Sequence, residues 1–446
     1  MPIDFEIPPL HDILGGPNAF YQELDYLAST ERDLAENKTL PTRYTWKTER
    51  HISGTEYKII RLIKDIFLVI VYPLHILVGF IVVPASIGFS REDATKARST
   101  ILNQDASEQW KFKRLTVEVD GYRVDAMIVG KPSTLSNGRW LLQSNGNYEL
   151  YENKFEANGS DLQQILRKIE GNALVFNYPG VGASSGFCSR QAMVKAYRAM
   201  LKFLEDKEKG IGAKQIIGWG HSIGGGVQGD ALKTHELKED IEYVFVKRQT
   251  FSDLQTIASA LTNRPLGFLV KIFGWNISSI ESSKKLNAPE IIMQTANVQG
   301  DYEELDDSSK IIDDGVITAE ASLAKRLLDD KECPREKKGF IGMPERHNDI
   351  LRYPSFLAEK INDFLTPLST NPVVDMFEKT DLVEKDDKEC PKENKGFIGM
   401  SERHEELINP VFLPENIMAF LIPPDDLVID EDEIPDLVDI DELPKS

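Results

Sequence analysis

The stretch Gln215-Ile216-Ile217-Gly218-Trp219-Gly220-His221-Ser222-Ile223-Gly224-Gly225-Gly226 decides the fold. Its first four residues are a short apolar run that reads as a strand, and the three closing glycines open what reads as a helix. Between them, Gly220-His221-Ser222-Ile223-Gly224 matches G-x-S-x-G in the strand–turn–helix setting that holds a serine at a strained elbow. Such a turn needs small residues at 220 and 224, because a side chain two positions either side of the serine would strike strand or helix. The turn exposes the Ser222 hydroxyl. It also aims the Ile223 N–H at the space where an oxyanion would form.

A serine hydroxyl is nucleophilic near neutral pH only beside a general base, and the base needs an acid to orient it. The chain has seven histidines: His11, His51, His75, His221, His235, His347 and His404. After a nucleophile of this kind the base lies beyond the last strand. His347 and His404 each follow a strand-like Gly-Phe-Ile-Gly-Met, and His347 is favoured. His235 falls on the helix following Ser222 and reads as a surface residue. The acid belongs between serine and base, after the strand-like Glu290–Gln294. Asp313-Asp314-Gly315-Val316-Ile317 has the right form, and Asp314 is chosen over Asp313, Asp301, Asp306 and Asp307. A second oxyanion donor is sought after an earlier strand, where Ser144-Asn145-Gly146-Asn147 ends Arg139–Gln143. Gly146 permits close approach, and the Asn147 N–H is the candidate.

Outward from the elbow, residues 113–344 alternate strands and helices. Residues 113–119 and 122–130 flank Asp120-Gly121 as a β-hairpin. Short apolar runs at 139–143, 173–177, 215–218, 243–246 and 290–294 are separated by helical stretches such as 191–206. That pattern predicts an α/β fold with a mostly parallel sheet covered on both faces. Tyr178-Pro179-Gly180-Val181-Gly182-Ala183-Ser184-Ser185-Gly186 lacks the Gly-Lys-Ser/Thr of a phosphate loop and reads as a structural turn at the site mouth.

At the C-terminus, residues 331–347 (KECPREKKGFIGMPERH) recur as residues 388–404 (KECPKENKGFIGMSERH), with 14 of 17 positions identical. The likeness continues into the following helix, so the repeat reads as a duplicated strand–loop–helix unit. At the other end, Ile66–Phe89 is a 24-residue run with no Asp, Glu, Lys or Arg. It is long enough to span a bilayer as a helix, but Pro73, Pro84 and His75 interrupt it. A segment lying on or dipping into a membrane is favoured over a buried helix pair or a simple span.

In this order, Asn145-Gly146-Asn147, the run from Asn177 to Gly186, the serine elbow, Asp313–Ile317 and Glu345-Arg346-His347-Asn348 resemble the α/β-hydrolase superfamily. More narrowly, they look like the CHLPS-type hydrolases of Chlamydia and Legionella, including the SidB-like and SdbB-like proteins that Legionella delivers into host cells. The apolar run is similar to that group as well. The resemblance covers roughly residues 60–365. It implies an α/β-hydrolase fold and a triad of Ser222, Asp314 and His347, with no cofactor or metal. The activity it implies is that of a lipase, phospholipase or esterase acting on a lipid or acylated substrate at a membrane surface. Residues 177–186 are also similar to membrane-associated acyl-thioesterases, so an acyl-protein thioesterase is one alternative. A non-catalytic membrane binder on a hydrolase scaffold is another.

The expected organisation is an N-terminal extension (1–108) carrying the apolar segment (66–89), a catalytic domain (109–365), the duplicated unit (366–421) and an acidic tail (422–446). The 446 residues carry 52 Lys plus Arg against 72 Asp plus Glu, a formal charge of −20. That balance argues against a nucleic-acid partner. Ten acidic residues and no basic one lie between Asp425 and Glu442, so the tail holds half of the net charge. This tail is similar to acidic C-terminal signals of the Legionella type IV system, which implies a secretion-machinery partner and delivery into a host cell. The N-terminus shows no classical signal peptide. Cys188, Cys333 and Cys390 have no zinc-site spacing and suit a reducing compartment.

Overall fold

A computed structural model describes residues 43–48, 75–102, 110–155, 161–261 and 264–366, all within a unit spanning Met1–Thr370. Its ten strands are β1 (Arg43–Trp46), β2 (Lys111–Val119), β3 (Tyr122–Gly130), β4 (Arg139–Ser144), β5 (Asn172–Phe176), β6 (Gln215–His221), β7 (Glu242–Arg248), β8 (Glu290–Thr295), β9 (Glu303–Glu304) and β10 (Lys338–Met343). They form one sheet in the order β1-β2-β3-β5-β4-β6-β7-β8-β10-β9. From β5 through β10 the adjacent strands β5, β4, β6, β7, β8 and β10 run parallel. β3 pairs antiparallel with both β2 and β5, and β9 pairs antiparallel with β10. Asp120 (φ 47°) and Gly121 (φ 91°) make the tight turn between β2 and β3 with both φ values positive, as a two-residue hairpin requires.

The parallel strands are apolar on both faces because both faces are covered. Successive residues alternate between two cores: Leu142, Leu174, Ile216 and Phe245 in one, Leu141, Val175, Ile217 and Val244 in the other. The helices Arg190–Glu205 and Ile223–Leu232 cover the first face. The helices Asp161–Lys168 and Pro354–Asp363 cover the second. Period-2 alternation into two buried layers leaves continuous apolar runs, which is why the strands were visible in sequence.

The expected boundary at residue 108 does not divide the molecule. β1, from the N-terminal extension, adds a parallel strand to β2. The helix Arg91–Leu102 is tied to the sheet by Arg98, whose guanidinium contacts Asp125 at 2.9 Å and Glu152 at 2.5 Å, all three residues buried. Arg114 closes on the other Asp125 oxygen at 2.6 Å. An unpaired charge in such a cluster is costly, so the helix and the sheet edge are locked together.

Residues 75–89 of the apolar run lie among the described residues. Residues 75–82 are helical, and a short helix follows at Ala85–Gly88. Val78, Val83 and Ala85 are buried in the same core as the sheet. The Trp275 indole donates to the His75 carbonyl at 3.0 Å, and the His75 ring meets the Phe273 carbonyl at 2.8 Å. This part of the run therefore packs on protein along one side, while Ile87 stays 66% exposed. Among the described residues no helix is long and apolar enough to cross a membrane. Residues 66–74, the duplicated unit at 367–421 with His404, and the acidic tail lie outside the described residues.

The chain leaves β4 for β5 on one side, then returns past β4 to β6 on the other. The crevice beyond the carboxyl ends of β4 and β6 is thus the point where the connection changes direction, where open α/β sheets place ligands.

Candidate active site

Ser222 sits in that crevice, between the end of β6 and the helix Ile223–Leu232, with φ 54° and ψ −123°. Positive φ is costly for a residue with a Cβ, and it persists only where surrounding bonds hold it. Here the Ser222 N–H donates to the Arg248 carbonyl at 3.0 Å. Its carbonyl accepts from the Thr250 hydroxyl at 2.6 Å and from the Gly225 N–H at 3.0 Å.

The flanking glycines are fixed by contact. A Cβ on Gly224 would lie 2.2 Å from the Ser144 carbonyl oxygen, and one on Gly220 would lie 2.5 Å from the Gly225 Cα. Both obstacles are backbone and cannot step aside. Gly224→Ala is therefore expected to cost about 3 kcal/mol or more, at the upper end of overpacking. Thermal unfolding should show a melting temperature several degrees below wild type, and an unchanged melt would remove this explanation of the motif.

His347 lies in the loop after β10, 5% exposed. Its Nε2 is 2.8 Å from Ser222 Oγ, and its Nδ1 is 2.9 Å from Asp314 Oδ2. The His347 N–H also donates to the Asp314 carbonyl at 3.0 Å, so main chain and side chain reinforce one geometry. Asp314 is buried. Its Oδ1 accepts the N–H groups of Val316 at 2.9 Å and Ile317 at 2.6 Å, and Gln294 donates to Oδ2 at 3.2 Å. Burial alone would raise its pKa; the His347 bond and charge, with the two backbone donors, outweigh that and hold it below the ordinary aspartate value. An ionised acid beside Nδ1 keeps the proton there and leaves Nε2 as acceptor toward the serine.

The competing acids are elsewhere. Asp313 is exposed and accepts from the Ala319 N–H at 2.6 Å. Asp301, Asp306 and Asp307 are exposed too. Gly315, at φ 98°, turns the chain between Asp314 and the N–H groups that bind it.

Beside Ser222, Ile223 is the first residue of its helix, so its N–H has no partner within that helix. The loop Asn145–Asn147 ends β4 beside it, with the Ser144 and Asn145 carbonyls against Gly224. The Asn147 carbonyl accepts from the Ala85 N–H at 3.2 Å. Asn145 is anchored by its side-chain amide to the Phe176 carbonyl at 3.1 Å, and its own carbonyl accepts from the Tyr178 hydroxyl at 2.8 Å.

The glycine- and serine-rich turn after β5 folds back onto β3. Ser184 Oγ accepts from the Asp125 N–H, and Ser185 exchanges bonds with Arg123. Its polar groups are thus consumed in structure. Burial pushes the Cys188 thiol far up, which leaves it un-ionised. His235 is a correction: it is buried, not on the surface, with Nε2 2.7 Å from Glu205.

In sequence His221 is legible only as part of the motif, and Glu149 carries no signal for a role. His221 Nε2 lies 3.0 Å from the His347 carbonyl, which only accepts, so that nitrogen carries the hydrogen. Its Nδ1 is 3.4 Å from Glu149 Oε1. Burial pushes the His221 pKa down to about 4, against the raising effect of Glu149. The longer Nδ1 distance suits a neutral ring protonated on Nε2.

The depressed pKa has a sign. An unfolded histidine takes up its proton near 6.5, whereas the folded ring resists until about 4. Stability from keeping the ring neutral is present above pH 6.5 and is lost as pH falls toward 4, by up to about 3 kcal/mol. Melting curves across that window should show a steeper loss for wild type than for His221→Gln; equal slopes would refute the assignment.

A family model described as Chlamydia CHLPS protein (DUF818) matches residues 43–365 of the chain. No curated protein matches it. Among solved structures, an alpha-beta hydrolase from Vibrio vulnificus is 15% identical at a TM-score of 0.46, with 73% of this chain and 97% of that one covered. An esterase from Pyrococcus furiosus is 14% identical at a TM-score of 0.42, covering 59% of this chain and 93% of its own. A cold-adapted esterase from an Arctic intertidal metagenomic library is 13% identical at 0.39, covering 59% and 97%.

Proposed function

The chain belongs to the Chlamydia CHLPS protein family, and from that premise we propose that it is a serine hydrolase with an α/β-hydrolase fold, cleaving acyl esters of the lipase, phospholipase or esterase kind. One observation carries this reading: Ser222 Oγ, at a positive-φ elbow, lies 2.8 Å from His347 Nε2, whose Nδ1 lies 2.9 Å from a buried Asp314. The strand order, with the serine after β6 and the histidine after β10, supports it.

In this mechanism Ser222 Oγ attacks the acyl carbonyl while His347 Nε2 takes its proton. The N–H groups of Ile223 and Asn147 stabilise the tetrahedral oxyanion. The bond to the leaving oxygen then breaks, and His347 returns the proton to it. A water molecule, deprotonated by His347, attacks the acyl-serine; the bond from Ser222 Oγ to the acyl carbon breaks, His347 returns the proton to Oγ, and the carboxylic acid leaves. Asp314 holds the ring and stabilises its charged form throughout. Each step uses these residues and water alone.

The exposed Ile87, Phe268 and Ile272 support a reading in which the chain works at a lipid surface. The acidic run at Asp425–Glu442 is proposed as an export signal. Deleting it should stop delivery into host cells without changing turnover in vitro; unchanged delivery would refute that role.

Turnover of a short p-nitrophenyl ester, a butyryl thioester and phospholipid vesicles by the purified chain tests substrate class. Ester and vesicle hydrolysis above thioester hydrolysis supports the proposal. Thioester preference would move the assignment to acyl-protein thioesterase. No turnover, and no labelling of Ser222, would leave a binding protein on a hydrolase scaffold.

A further inference from the structure

The two residues flanking the triad, Glu149 and His221, connect the loop that bears Asn147 to the loop that bears His347. Glu149 folds back on its own loop: Oε2 accepts the Gly146 N–H at 2.7 Å, and Oε1 accepts from Lys154 Nζ at 2.6 Å. The fit is close, since a Cβ on Gly146 would lie 3.1 Å from the Glu149 carboxyl carbon. Asn147 is thereby held from both sides. Glu149 fixes the Asn145–Gly146 peptide, one peptide ahead of the one that carries the Asn147 N–H, and the Asn147 carbonyl is bound by the Ala85 N–H at 3.2 Å. Tyr148, between them in sequence, packs on Phe89 with ring centroids 4.7 Å apart.

His221 continues the connection. Its ring backs onto Glu149 at 3.4 Å, and its Nε2–H binds the His347 carbonyl at 3.0 Å. The two imidazoles lie with centroids 5.0 Å apart, inclined by 36°. His221 is bonded through the chain to Ser222, so a single run of contacts spans donor loop, nucleophile and base loop. Lys154 lies in the 3₁₀ turn Glu152–Phe155, next to the buried Arg98 cluster, and so fixes the far end.

We propose that Glu149, backed by His221, is a positioning residue that sets the Asn147 N–H relative to Ser222 and His347. This rests on the catalytic reading of Ser222, His347 and Asp314. Neither side chain is assigned contact with substrate. Their action is on the backbone that carries the second oxyanion donor, whose benefit is realised only in the transition state.

The test compares Glu149→Ala, Glu149→Gln and His221→Leu with wild type, using a short p-nitrophenyl ester and a trifluoromethyl ketone that mimics the tetrahedral intermediate. Loss of one oxyanion donor lowers kcat about 100-fold or more, so a displaced donor should cost roughly 10- to 100-fold. Glu149→Ala is expected to lose kcat by that factor with KM changed less than about threefold, and to bind the ketone weaker by the same factor. The glutamine amide oxygen can still accept from Gly146, although its NH2 cannot accept from Lys154, so Glu149→Gln should recover part of both. Adding His221→Leu to Glu149→Ala should cost less than the product of the single losses, as contacting residues in one unit do.

Wild-type kcat and ketone affinity in Glu149→Ala would overturn the inference alone. So would a loss that Glu149→Gln fails to restore. If wild type neither turns over esters nor is labelled at Ser222, the catalytic reading fails and takes this inference with it.

Discussion

Replacing Ser222 with alanine is expected to lower ester turnover roughly ten-thousand- to million-fold while leaving the fold intact. The nucleophile is removed outright, and only transition-state binding by the remaining donors is left. Structural damage should be small. The Ser222 side chain has a hydrogen bond to His347 Nε2, and alanine keeps the main-chain bonds to Arg248, Thr250 and Gly225. Alanine faces the same positive-φ cost as serine, so that term cancels. The measurement is turnover beside a melting curve. Turnover within tenfold of wild type would rule out Ser222 as nucleophile, and a collapse of the melt would assign it a structural role instead.

The second large effect concerns the duplicated histidine. His347→Ala is expected to reduce kcat roughly ten-thousand-fold, because Ser222 loses its base and Asp314 its partner. It should also destabilise the chain by about 1–3 kcal/mol, since the Asp314 carboxylate stays buried without the ring that faces it. His404→Ala should leave turnover within about twofold. The position in the Ser222–Asp314 line is occupied by His347, so the copy has no vacancy there to fill. Activity that survives the first substitution and disappears with the second would reverse the assignment.

The serine elbow was legible in sequence because its constraint is local. Gly220 and Gly224 face backbone atoms within a few residues or on the next strand, so composition alone reports the steric demand. The strands were legible for a related reason: burial on both faces removes polar residues from each run. The edges were not. β1 is Arg43-Tyr44-Thr45-Trp46, only one of whose side chains is buried, and β9 is two glutamates held by register with β10. Neither carries a pattern that separates strand from loop.

Within the site, the step from an acidic loop to one acid was decided by main-chain path. Asp313 and Asp314 are adjacent and chemically identical, and the turn at Gly315 sends one outward and the other onto two N–H groups. His235 looks like a surface residue in sequence because its partner is distant: Glu205 is thirty residues away. Glu149 left no signal beyond a glutamate three residues after a glycine. The apolar run is a different case. A row of aliphatic residues looks the same whether protein or lipid covers it, and Val78, Val83 and Ala85 are covered by protein.

The most direct test of the central claim, that Ser222 is an activated nucleophile, is reaction of the purified chain with a fluorophosphonate probe, followed by peptide mass spectrometry. The expected result is a single adduct on the peptide containing Ser222, absent from Ser222→Ala and strongly slowed in His347→Ala. No adduct on the folded wild-type chain, or an adduct on a different residue, would contradict it.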